Sequence, residues 1–114
     1  MKHIVTLPKD KTDNKQIFLN IELLDEAISH NRKVVFKYTE YGTDKKIHYR
    51  KRPDGSEREY VVTPYQMAAK EGKYYLICNY NKYDDISNYR LDRIRELKIL
   101  DEPAKPFETL RGAK

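Results

Sequence analysis

At 114 residues the chain is long enough for one domain and too short for two, and it should bury roughly 65% of its unfolded surface on folding. Its 39% hydrophobic and 36% charged residues, at a mean hydropathy of −0.92, leave a small core under a heavily charged surface and exclude a transmembrane helix. The balance of 23 Lys and Arg against 18 Asp and Glu gives +5, which fits a polyanionic partner or a solvated surface, so charge alone decides nothing.

Residues 1–16 read as a polar N-terminal arm. Lys9 to Lys15 is an unbroken polar run, preceded by a strand-like stretch at His3–Leu7 that nothing nearby obliges to pair. The start is too short and polar for a secretory segment. A single cysteine, Cys78, excludes an intramolecular disulfide and any multi-cysteine zinc site, so a cytoplasmic protein is expected. Residues 17–100 form the expected domain. It opens with a helix, for which Asn20 is the N-cap, Glu22 sits in the first turn, and Leu19 and Leu24 take staple positions. Ile21, Leu24 and Ile28 make its apolar stripe, and Asn31 ends it in the left-handed conformation.

Strands follow. Val34, Phe36 and Tyr38 alternate with Val35 and Lys37, and Ile47 and Tyr49 alternate with His48 and Arg50. Pro53-Asp54-Gly55 is a turn, with Pro fixing one φ and Gly supplying a positive one. Tyr60–Thr63 is β-rich and meets Pro64, which marks a bulge or a strand end. Further strands are expected at Tyr65–Lys70, Lys73–Asn79, Ser87–Leu91 and Arg95–Leu100, with turns at Glu71-Gly72 and around Asn81–Asp85. One helix followed by many short strands argues for a mainly β domain built as a small barrel. Residues 101–114, broken by Pro103 and Pro106, read as a C-terminal tail or linker.

Catalytic chemistry finds no support in this pattern. His3, His30 and His48 are scattered, so no metal site is expected, and the four glycines never cluster into a phosphate loop or dinucleotide fingerprint. Cys78 lies beside Leu76 and Ile77 and reads as an inert buried thiol. A small nuclease would need a metal or general base that is not evident. No cofactor is implied.

Three blocks carry a family resemblance: Tyr60-Val61-Val62-Thr63-Pro64-Tyr65-Gln66-Met67, Gly72-Lys73-Tyr74-Tyr75-Leu76-Ile77, and Tyr89-Arg90-Leu91-Asp92-Arg93-Ile94. Their order and spacing resemble the WYL domain family over about Leu19 to Leu100. The resemblance implies a five-stranded Sm-like or SH3-like barrel with an N-terminal capping helix. It also implies the sensor part of a bacterial transcriptional regulator carrying a winged helix-turn-helix. Two positions depart from the pattern: the family's signature Trp is Tyr74, and a basic residue often found near Ser87 is missing. Nothing before Leu19 is long enough for a winged helix, so the chain resembles the sensor module alone, excised or naturally detached.

Strand alternation sorts the signature residues. Tyr74, Leu76 and Cys78 share an interior face and leave Tyr75 outward; Tyr89 and Leu91 point in and leave Asn88 and Arg90 outward. Arg93 follows in a tight corner, close enough to Arg90 for a two-arginine pocket that holds phosphate beside a stacking Tyr75. Arg93 could equally pair with Asp92. Tyr38, at a strand end, is a rim position, and Asn88 a minor contact. The expected ligand is single-stranded nucleic acid or a nucleotide-like anionic effector, signalled to an attached DNA-binding domain. The alternative is a protein-interaction module that makes a homodimer with no ligand.

Overall fold

The computed structural model describes residues 11–110, with side chains from Lys15 onward, so the expected strand at His3–Leu7 lies outside the described residues. One helix, α1 (Lys11–Ser29), precedes six strands: β1 (Arg32–Tyr41), β2 (Ile47–Tyr49), β3 (Glu59–Lys70), β4 (Lys73–Tyr80), β5 (Ser87–Arg90) and β6 (Ile94–Pro103). Short 3-10 turns stand at Leu91–Arg93 and Phe107–Thr109. No helix among the described residues is long and apolar enough to cross a membrane.

The helix starts well before the expected cap. Ile17, Ile21, Leu24 and Ala27 recur on one buried face, and Asn20 lies on that face, fully buried. Asn20 is therefore no N-cap. Its Nδ2 donates to the carbonyls of Leu91 at 3.0 Å and Ile94 at 3.2 Å, and its Oδ1 accepts from Gln16. Leu19, expected in a staple, faces solvent instead. At the other end Asn31 does take a left-handed φ of 55°.

The strands form one antiparallel sheet in the order β6-β1-β3-β4-β5, with β2 pairing the far end of β1 at Thr39–Tyr41. Pro64 does not end a strand. β3 runs through it, and the ladder with β4 shifts register between Pro64 and Gln66, a bulge where the missing N–H costs nothing. The β3–β4 hairpin closes through two residues, Glu71 and Gly72, at φ 51° and 79°, the pair of positive angles that matches strand twist.

Interior side chains come from every long strand: Val34 and Phe36 from β1, Tyr60 and Val62 from β3, Leu76 and Cys78 from β4, Tyr89 from β5 and Leu97 from β6. Phe36 and Tyr89 have ring centroids 5.3 Å apart although β3 and β4 lie between their strands. In a flat sheet those strands would stand about 14 Å apart, so the sheet curls on itself. It does not close. Among the described residues β5 and β6 share no ladder, and the 3-10 turn bridges them. Side chains serve the backbone at this gap: Tyr38 Oη accepts the Arg90 N–H at 2.9 Å, and Asn20 takes Leu91 and Ile94. A closed five-stranded barrel is thus replaced by a curled, open, mainly β sheet.

Residues 101–110, read as a tail or linker, return along the sheet. The Lys105 N–H donates to Thr63 Oγ1, Tyr65 Oη donates to the Lys105 carbonyl, Phe107 meets the Tyr65 ring edge-on, and Leu110 is buried. Paired prolines ended β6 at Pro103 without releasing the chain from the domain.

Candidate functional site

The β4–β5 ladder sets Tyr75 directly opposite Arg90 and Ile77 opposite Asn88, so these four side chains share the outer face. Leu76, Cys78 and Tyr89 fill the inner one. Tyr75 and Arg90 are half-buried, whereas Asn88 is exposed. Arg90 is not a free cation. Its Nε and Nη2 donate to the two oxygens of Asp92 at 3.0 and 2.7 Å, a planar two-pronged pair that holds the guanidinium above its ordinary pKa. Tyr38 reaches the same residue from inside. It is buried, with its ring against Phe36 and Tyr89, and only its hydroxyl arrives at the Arg90 amide.

Arg93 goes elsewhere. Its guanidinium lies 5.8 Å above the ring of Tyr41, and its carbonyl accepts from Thr39 Oγ1. Arg90 has extended dihedrals (φ −74°, ψ 131°), so the i, i+3 alignment within a 3-10 turn does not bring it over Arg93. Tyr75, Arg90 and the Tyr38 hydroxyl are brought together; Arg93 has its own aromatic partner, and Asn88 stands two residues along the strand.

Two further arginines, Arg50 and Arg58, stand near these residues. Arg50 lies 4.9 Å over the Tyr38 ring, donates to Tyr60 Oη at 3.3 Å and pairs with Glu40. Arg58 lies 4.9 Å over the Tyr60 ring, and a hydrogen bond to the Tyr80 hydroxyl raises its pKa. The signal was available by counting outward from the Pro53-Asp54-Gly55 turn. Arg52 N–H donates to Ser56 O, Lys51 pairs with Glu57, and the Arg58 N–H donates to Arg50 O, so Arg50 and Arg58 face each other. From Arg90 a series of contacts then runs through Tyr38, Arg50, Tyr60 and Arg58 to Tyr80, alternating cations and phenols.

Among the described residues no three His, Cys, Asp or Glu side chains gather where they could hold a metal. Burial pushes the Cys78 thiol far up, leaving it a poor nucleophile.

Residues 46–99 match the WYL domain family. Over that segment the chain is similar to the WYL domain family. The matched segment takes in β2 to most of β6 and includes Tyr75, Asn88, Arg90 and Arg93, while Tyr38 and α1 lie before it. The structure is similar to proteasome accessory factor B/C (PafBC) of Arthrobacter aurescens, with a TM-score of 0.65 over 93% of this chain at 14% identity, a likeness of fold. This chain spans 14% of the length of that chain. No curated protein matches the sequence.

Proposed function

We propose that this WYL-like domain is the ligand-sensing part of a cytoplasmic bacterial transcriptional regulator, binding single-stranded nucleic acid or a nucleotide-like anionic effector and relaying it to an attached DNA-binding domain. In this reading the curled sheet is an open relative of the Sm-like or SH3-like barrel. The observation that carries the proposal is the Arg90–Asp92 pair, set opposite Tyr75 and next to the turn that α1 holds through Asn20.

A phosphate offers the same two-oxygen geometry as Asp92 and competes with it for the Arg90 fork, while Tyr75 lies beside it for a base. Loss of the Arg90–Asp92 bonds frees a residue in the middle of the Leu91–Arg93 turn. Asn20 grips the carbonyls on either side of that residue, so the helix receives the change directly. Arg93, stacked on Tyr41, adds a second cation farther along.

The test is fluorescence anisotropy of a labelled short oligonucleotide across a salt series. Arg90→Ala should weaken binding about tenfold or more and make the salt slope shallower by about 0.7 for the lost phosphate contact. An unchanged affinity and slope would remove Arg90 from the site. Tyr41 and Ile47, opposite each other and exposed on the β1–β2 hairpin, favour the second reading, a homodimerisation module. Light scattering that finds a dimer regardless of oligonucleotide would favour it over ligand sensing.

A further inference from the structure

The turn between β2 and β3 and the loop after β4 enclose a groove of about 530 Å³, which meets the arginine–tyrosine series at Arg58 and Tyr80. Lys51, Arg52, Arg58 and Lys82 line it, against the carboxylates of Asp54 and Glu59, leaving an excess of two positive charges. The side chains of Lys51 and Lys82 make no hydrogen bond or ion pair with any described residue, and Arg52 has only a through-space attraction to the Asp54 carboxylate. Asp54 Oδ1 accepts both the Ser56 N–H and its hydroxyl, so that acid is tied into the turn. Neither Asp84 nor Asp85 lines the groove, and Asp84 is paired with Lys105. Just beyond it Tyr83 packs edge-on against Tyr80 and keeps 58% of its surface exposed.

We propose that this groove is a second anion subsite, taking backbone phosphates of a single-stranded nucleic acid on Arg52, Arg58 and Lys82 while Tyr83 stacks a base. Three features fit that occupant. Unpaired cations recover counterion entropy when they meet phosphates, which cations already held by carboxylates do not. Arg58 is fixed on the Tyr60 ring before any ligand arrives, which lowers the entropy of capture. An exposed ring beside an electropositive groove is the arrangement that binds bases without reading their sequence. The Tyr38–Tyr60 and Tyr60–Tyr80 centroid steps, 6.3 and 5.3 Å, put the groove within a few nucleotides of Arg90.

This inference rests on the nucleic-acid reading above and selects an oligonucleotide over a mononucleotide, which cannot occupy both places. The probes are a labelled oligothymidine of about twelve nucleotides and a labelled thymidine mononucleotide, with unlabelled tripolyphosphate as competitor. The double variant Arg52→Ala/Lys82→Ala, both positions exposed, should bind the oligonucleotide about tenfold more weakly with a salt slope shallower by about 1.4, and bind the mononucleotide as wild type does. Tyr83→Ala should cost fivefold or more for the oligonucleotide. If both variants match wild type while Arg90→Ala weakens both probes, the groove is not a subsite and the sensing function stands. If Tyr83→Ala is silent and tripolyphosphate displaces the oligonucleotide at equal concentration, the groove takes polyphosphate and the nucleic-acid assignment falls. If wild type binds neither probe, the functional reading falls and the groove with it.

Discussion

Asn20 joins the helix to the corner on which the candidate site is built. A buried amide in mid-helix is tolerated because the carbonyls of Leu91 and Ile94 at the 3-10 turn each have room for a second donor, and one NH2 group serves both. Asn20→Ala removes one donor from each of two buried carbonyls, leaving Leu91 O the Ile94 N–H and Ile94 O the Arg95 Nη1, and should cost about 1–3 kcal/mol, read as a lower urea midpoint at an unchanged slope. A loss under about 0.5 kcal/mol would mean that water replaces the amide. Local sequence chemistry reads Asn before Ile-Glu-Leu-Leu as a cap, since it sees only neighbours in the chain. What decided the outcome lies beyond residue 90. The same distinction runs through the site. Tyr75 and Arg90 were legible as outward residues because alternation is a local property. Their mutual register needed only the intervening loop. The partner of Arg93 was not legible, since Tyr41 reaches it through a hairpin that the sequence gives no means of orienting.

Among the elements, the β3–β4 hairpin carries its turn on one suitable residue and one unsuitable one. Gly72 meets φ 79° without penalty, but Glu71 sits at φ 51° with a side chain that disfavours it. Glu71→Gly should therefore raise stability by up to about 1 kcal/mol, and Gly72→Ala should lower it by about as much, both measured by urea unfolding. Equal and negligible effects would mean that the turn relaxes to another type. Strands and this turn were read nearly as they stand because a two-residue period with Gly punctuation is strong evidence in a short window. The ends of the chain were not. Lys11–Gln16 carries no apolar repeat of its own and is helical as an extension of a stripe that begins at Ile17. Residues 101–110 looked like a linker because prolines break regular structure; they do not forbid docking, and Leu110 and Phe107 find Tyr65 and the sheet beneath.

At the scale of the whole molecule the open curled sheet is filled with phenols, and this gives the fold a limit at high pH. Burial raises the pKa of Tyr89 far above its ordinary 10.0, helped by the nearby Cys78, Tyr60 and Tyr80 groups and opposed by Arg50. Burial likewise raises Tyr65, and raises Tyr49 together with Glu96; it also pushes the Cys78 thiol up from 9.0. Each of these acids stays neutral longer in the folded chain than in the unfolded one. Their contribution is complete below the unfolded values and drains away as pH rises from about 9 toward the folded values, by at most about 1.4 kcal/mol per pH unit for each group. General charge repulsion runs the other way only up to the pI of about 9.2, above which growing negative charge adds to the drop. The share of the buried acids is therefore read by removing one of them. Urea midpoints should be flat from about pH 7 to 8 and drop above about pH 9, with the tyrosinate absorbance of the buried phenols appearing only as the protein unfolds. Tyr89→Phe removes the phenol most displaced from its ordinary value and should flatten the drop above about pH 10, at a small fixed cost at neutral pH. A variant that keeps the wild-type slope would show that the Tyr89 hydroxyl reaches water, and that the curled sheet opens wider around its aromatic interior than the 5.3 Å contact of Phe36 with Tyr89 implies.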